Sequence, residues 1–123
     1  MNCRVETAKT KGLWQESWHK RRCVIPASWY YEWSPTKQKY VIQPKGDEHT
    51  FIAGLYRYEE HCGMNVPMFS ILTRNSVGDL RDIHERMPII LPQESIVEWI
   101  SPFKNPEMVL SKQITDFVVE IAV

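Results

Sequence analysis

Apolar and polar positions divide the chain into short extended segments separated by turns rich in Pro, Gly and charge. Arg21–Trp33 opens with two cations. It continues with the apolar run Cys23-Val24-Ile25, which Pro26 ends, and closes with aromatics around one carboxylate, Glu32. Aromatic and β-branched residues favour a strand, here through Trp29–Trp33. Alternation puts Tyr30 and Glu32 on one face and Trp29, Tyr31 and Trp33 on the other. Glu32 is then a carboxylate on an apolar strand. It is either an edge residue in water, or one that pairs with a cation or works in proton transfer.

Other segments follow the same logic. Lys9–Lys20 suits a helix with Trp14 and Trp18 on one face and Leu13 beside them. Lys39–Gln43, Thr50–Tyr58 and Val66–Thr73 read as strands of an antiparallel meander. The turns Ser34–Lys37 and Lys45–Glu48 and the polar connection Glu59–Asn65 separate them. Gly54 inside the second of these strands signals a bulge or a close backbone approach. Asn75–Ile83 predicts a short helix with Ser76 as N-cap, and Met87-Pro88 an extended chain. Ile89–Leu91 is a further strand, Pro92 opens a helix over Gln93–Ile100, and Ser101–Pro106 is a loop. Phe117–Val123 is a last strand. The fold class is α+β, a mostly antiparallel sheet with two or three short helices, and one domain over residues 1–123.

Composition narrows the function classes. The chain is 43% apolar and 11% aromatic, a globular balance. Fifteen basic and fifteen acidic residues cancel, so a nucleic-acid partner needs a local basic patch. Lys9, Lys11, His19, Lys20, Arg21 and Arg22 form one cluster, which either follows a phosphate backbone or is a solvated face. No apolar run has the length of a membrane span, so no membrane partner is expected. Three cysteines without a CxxC pair argue against a disulfide framework and for a reducing, cytoplasmic setting.

Few residues carry candidate chemistry. Asn2, Arg4 and Glu6 share one face of a terminal strand, a set able to bind an anion, unless the terminus frays. His84 sits in a loop between ordered elements, placed either as an acid–base group or as a structural histidine. Arg86 is suited to a phosphate or carboxylate. The close Cys/His pairs, His61-Cys62 and His19 with Cys23, complete no zinc set, so neither metal nor cofactor is expected. A cysteine hydrolase built on Cys23 or Cys62 with His84 lacks a local signature.

Five motifs in order resemble the SRAP family (SOS response-associated peptidase). They are Asn2–Thr7, Arg21–Ala27, Tyr31-Glu32-Trp33, Ala53–Tyr56 and His84–Leu91. The resemblance implies a barrel-like sheet and an abasic-site processing protein that binds single-stranded DNA. In that family an N-terminal cysteine forms a thiazolidine crosslink with the sugar aldehyde, and some members cleave their own N-terminus. By resemblance Asn2, Glu32 and His84 are catalytic: Glu32 and His84 move protons and Asn2 orients. Arg4, Trp33, Thr73 and Arg86 match DNA-binding positions. The resemblance also implies a preceding segment with the reactive cysteine that these 123 residues lack. Cys3 stands where the family usually has alanine. The expectation is therefore a chain that keeps the Glu/His half of the site without the nucleophile and self-associates through open strand edges. The alternative is a noncovalent single-stranded DNA-binding module using Arg4, Arg86 and Trp33. In a bacterium the setting would be the cytoplasm, near the nucleoid.

Overall fold

The computed structural model describes residues 2–10, 12–47 and 49–123. Met1, Lys11 of the basic cluster and Glu48 of the second turn lie outside the described residues. In chain order the elements are β1 (Asn2–Arg4), α1 (Val5–Ala8), α2 (Gln15–Lys20), β2 (Arg22–Ala27), β3 (Tyr30–Trp33), β4 (Lys39–Pro44), β5 (Thr50–His61) and β6 (Met64–Asn75). A 3-10 turn (Gly78–Asp82) leads to β7 (Arg86–Pro88) and β8 (Ile90–Leu91). A second 3-10 turn (Gln93–Ser95) runs into α3 (Ile96–Ile100), followed by α4 (Pro106–Leu110) and β9 (Phe117–Ile121).

The strands form two sheets of a curled half-barrel, so the chain is α+β as expected. The larger sheet runs β1-β6-β5-β2, with β7 on β6 and β8 on β5. The smaller runs β3-β4-β9. All pairs are antiparallel except β1 with β6. The expected meander is therefore corrected. β5 and β6 pair, but β4 leaves them for β3 and β9. Alternation identifies β4 as a strand; its partners are chosen by burial of Ile42 against Leu80, Ile83 and Met87, far away in sequence.

The β5–β6 hairpin is longer than its composition suggests. Cys62 and Gly63 both have positive φ, 51° and 77°, the geometry of a two-residue turn that matches strand twist. The ladder consequently runs to His61↔Met64, through residues whose polarity reflects exposure rather than a loop. Gly54 does mark a close approach. A Cβ there would lie 2.6 Å from Ile25 Cδ1, 3.0 Å from the Ser70 carbonyl oxygen and 3.1 Å from Cys23 Sγ. Ile25 can turn aside, but the Ser70 backbone is held in β6. Gly54→Ala is expected to destabilise by about 1–3 kcal/mol through overpacking, read as a lowered urea midpoint with unchanged slope.

Several local expectations change. The segment Lys9–Lys20 is helical only over Gln15–Lys20, while Val5–Ala8 is a separate short helix that takes Glu6 off the strand face of Asn2 and Arg4. The terminus is not frayed: β1 pairs with β6 at Asn2↔Ile71 through Arg4↔Thr73. Trp18 packs edge-on against Trp99, with ring centroids 6.0 Å apart, and Leu13 is exposed. Ser76 is not the cap residue; among the described residues the 3-10 turn starts after Val77 without a side-chain cap. After the expected loop, α4 forms because Asn105 accepts from the Glu107 N–H and Pro106 occupies the first turn. Four short α-helices are thus described, one more than the upper expectation.

Two core clusters result. One holds Trp14, Trp18, Leu55, Leu72, Trp99 and Leu110 under the larger sheet. The other gathers Ile42, Leu80, Ile83 and Met87, with Tyr30 packed against them. No described helix is long and apolar enough to cross a membrane.

Candidate active site

Where the two sheets meet, a cleft of about 250 Å³ opens. Each wall has its own origin. β1 supplies Asn2, β6 supplies Ile71 and Thr73, β3 supplies Tyr30, Tyr31 and Glu32, and the segment entering β7 supplies His84 and Arg86. Five of the seven site residues expected from the sequence (Asn2, Glu32, Thr73, His84 and Arg86) therefore border one space. Arg4 and Trp33 do not border it. Arg4 is exposed on β1, 3.9 Å from Glu6, and Trp33 is 50% exposed on the opposite face of β3 from Glu32.

Alternation in β3 explains how the carboxylate gets there. Tyr30 and Glu32 are half-buried, while Tyr31 and Trp33 are exposed. One Glu32 oxygen accepts from the Trp33 N–H at 3.2 Å, and no cation pairs with Glu32 among the described residues. His84 is held by backbone on both sides. Its N–H donates to the Leu80 carbonyl at 3.1 Å, and Nδ1 lies 3.1 Å from both the amide nitrogen and the carbonyl oxygen of Arg86. In either tautomer Nδ1 is engaged, which leaves Nε2 for a guest. A carboxylate and an imidazole on one cleft can accept and return protons.

Arg86 is less free than its sequence position suggests. Its guanidinium donates to Glu6 Oε2 (3.0 Å), Asn75 Oδ1 (2.9 Å), the Thr73 carbonyl (2.8 Å) and Thr73 Oγ1 (3.1 Å). It therefore braces α1, β6 and β7 around the cleft. The Glu6 pair is half-exposed and adds only about 0–1 kcal/mol; orientation is its main effect. Sequence reasoning missed Tyr30 as a wall residue and Asn75 as a brace. Alternation already put Tyr30 beside Glu32, but nothing local reveals that this face borders a cleft.

The basic cluster does not form one free track. Arg22 is buried, Arg21 donates to the Tyr56 carbonyl and to Ser17, Lys20 pairs with Glu16, and Lys9 pairs with Glu107. Around β3, in contrast, Trp29 just before the strand and Tyr31 and Trp33 within it are 43–50% exposed, with Lys39 Nζ 4.0 Å from the Tyr31 ring centre. The cysteines lie apart from the cleft lining. Burial pushes the Cys3 and Cys23 thiols above the ordinary thiol value, whereas Cys62 is exposed at the hairpin tip. Alkylation of the native protein is expected to label Cys62 first. Cys3 and Cys23 should react only on unfolding, as peptide mass spectrometry would show.

The fold and site define an α+β half-barrel protein with a carboxylate–imidazole cleft at a sheet junction. The family model for SOS response associated peptidase (SRAP) matches residues 1–120, and the chain belongs to that family. It is 35% identical over 107 residues to the abasic site processing protein YoaM of Bacillus subtilis, covering 83% of this chain and 47% of that one. It is 30% identical over 103 residues to the abasic site processing protein YedK of Escherichia coli, covering 81% and 46%. A crystal structure of a Bacteroides thetaiotaomicron protein superposes with a TM-score of 0.84 at 27% identity, over 99% of this chain and 58% of that one. The chain thus spans about half the length of the curated relatives it matches.

Proposed function

We propose that this chain binds single-stranded DNA at an abasic site and exchanges protons with the exposed sugar through Glu32 and His84. The observation that carries this reading is the convergence of Asn2, Glu32, Thr73, His84 and Arg86 on one cleft from four separate parts of the chain. The relatives named as abasic site processing proteins supply the substrate class. Opening a sugar hemiacetal takes a proton from the anomeric hydroxyl and returns one to the ring oxygen, which suits a carboxylate and an imidazole. Asn2 orients the sugar by hydrogen bonding. Arg4 holds a phosphate, Arg86 reaches one by releasing its exposed partner Glu6, Thr73 lines the strand's path, and Trp33 offers a face on which a base stacks.

Covalent capture as a thiazolidine, and self-cleavage of an N-terminus, are not part of this proposal. A thiazolidine needs an amine and a thiol on one residue, and no cysteine of this chain borders the cleft among the described residues. Within these 123 residues the role is therefore recognition and proton transfer, with noncovalent binding as its direct expression. Fluorescence anisotropy should show an abasic strand bound more tightly than an intact one, with affinity falling as salt rises. Glu32→Ala and His84→Ala should retain strand binding in the same anisotropy series, and a denaturing gel run in parallel should show no adduct. Equal affinity for abasic and intact strands would overturn the proposal. A heat-stable adduct on the gel would overturn the noncovalent reading.

A further inference from the structure

Tyr30 has no part in the chemistry described above. Its ring packs against the cluster of Ile42, Leu80, Ile83 and Met87, which fixes where the hydroxyl lies. That hydroxyl is buried and has no hydrogen-bond partner among the described residues. Native folds leave few buried hydroxyls unpaired, so each exception calls for an explanation. Tyr30 borders the cleft and shares the Glu32 face of β3. Arg86 Nε, on another wall, is also buried without a partner among the described residues. Burial raises the Tyr30 phenol well above its ordinary value and the Glu32 charge raises it further, so it stays protonated and acts as a donor.

We propose that Tyr30 contacts the substrate, its hydroxyl donating a hydrogen bond to a sugar oxygen held beside Glu32. The inference rests on the abasic-site reading above. A sugar hydroxyl both donates and accepts. Glu32 takes its hydrogen and Tyr30 supplies one, so the pair recognises a hydroxyl group rather than a bare gap in the strand.

The test uses three single strands with this chain and with Tyr30→Phe. One is intact, one carries a tetrahydrofuran abasic analogue, and one carries a borohydride-reduced abasic site. The reduced site is an open sugar with hydroxyls the analogue lacks, and it cannot form a Schiff base. The native chain should bind the reduced site more tightly than the analogue. Tyr30→Phe should lose that margin, about three- to tenfold for one hydrogen bond, while keeping its affinity for the analogue and its thermal midpoint. An undiminished margin in Tyr30→Phe overturns the inference, as does a uniform loss on all strands or an unfolded variant, either of which makes Tyr30 a packing residue. A native chain that prefers both abasic strands to the intact one, yet binds the two alike, overturns this inference and leaves the abasic-site reading standing. A native chain that binds all three alike overturns both.

Discussion

Arg22→Met is expected to destabilise the protein by about 3–5 kcal/mol, a large part of a typical domain's total of roughly 5–15 kcal/mol. Arg22 is 4% exposed at the start of β2. Its guanidinium donates to the Trp99 carbonyl at 2.7 Å, the Trp18 carbonyl at 2.8 Å, the His19 carbonyl at 3.0 Å and the Lys104 carbonyl at 3.0 Å, and it also reaches the Ser101 carbonyl. Trp18 and His19 lie in the last turn of α2, and Trp99 in the last turn of α3. One side chain thus satisfies the open carbonyls of two helix ends, where a positive charge is also favoured by the backbone dipoles. Methionine keeps apolar volume but returns none of these donors, and each buried carbonyl left unpaired costs about 1–3 kcal/mol. The thermal midpoint should fall by roughly 10–20 °C. Arg22→Lys should recover only part of this, because an ammonium cannot span carbonyls on two helices as a planar fork does.

Trp99→Ala should cost about as much, roughly 3–5 kcal/mol, for a different reason. Trp99 is fully buried and covers the open side of β2, the edge strand of its sheet. Its indole N–H donates to the Cys23 carbonyl at 2.9 Å, and its ring meets Trp18 edge-on. Truncation opens a cavity and leaves that carbonyl without its donor. The Arg22 guanidinium lies 5.5 Å from the Trp99 ring centre and bonds the Trp99 carbonyl, so the two sites share contacts. The double variant should consequently lose less than the sum of the single losses, by about 0.5–3 kcal/mol in a double-mutant cycle. Both variants should reduce strand binding only to the extent that they unfold the chain, since neither residue borders the cleft.

Arg22 and Arg86 together show what a sequence reading of charge leaves out. Both belong to motifs that identify the family, and both read locally as cations available to phosphate. Arg22 is consumed by the end of α2 beside it and by the end of α3 and the loop after it, some 80 residues away, and the Arg86 terminal nitrogens are committed to Glu6, Asn75 and Thr73. Whether a cation is free depends on which acceptors the fold brings to it, and most of those acceptors are distant in sequence. Lys39 makes the same point in reverse. It looks like an ordinary strand lysine, yet cross-strand pairing with Trp33 places its ammonium near the exposed Tyr31 and Trp33 rings.

The sequence by itself determined most of the strands and the helix over Gln93–Ile100 in outline, Gly54 as a special backbone position, and the sidedness of β3. Each of these is a local property, set by alternation, by proline, or by the absence of a side chain. Together with the motif order it also determined the family and the candidate residues Asn2, Glu32, Thr73, His84 and Arg86. Only the tertiary structure decided that β4 joins β3 and β9, that Asn2 lies in a paired strand rather than a loose end, and that these five residues border one cleft. The physical reason is the range of the interactions. A pattern of side chains fixes which face of a strand is buried, but its partner is selected by apolar surface and hydrogen-bonding groups contributed from anywhere in the chain. The unpartnered Tyr30 hydroxyl belongs to this second class, because a missing partner is visible only once every neighbour is in place.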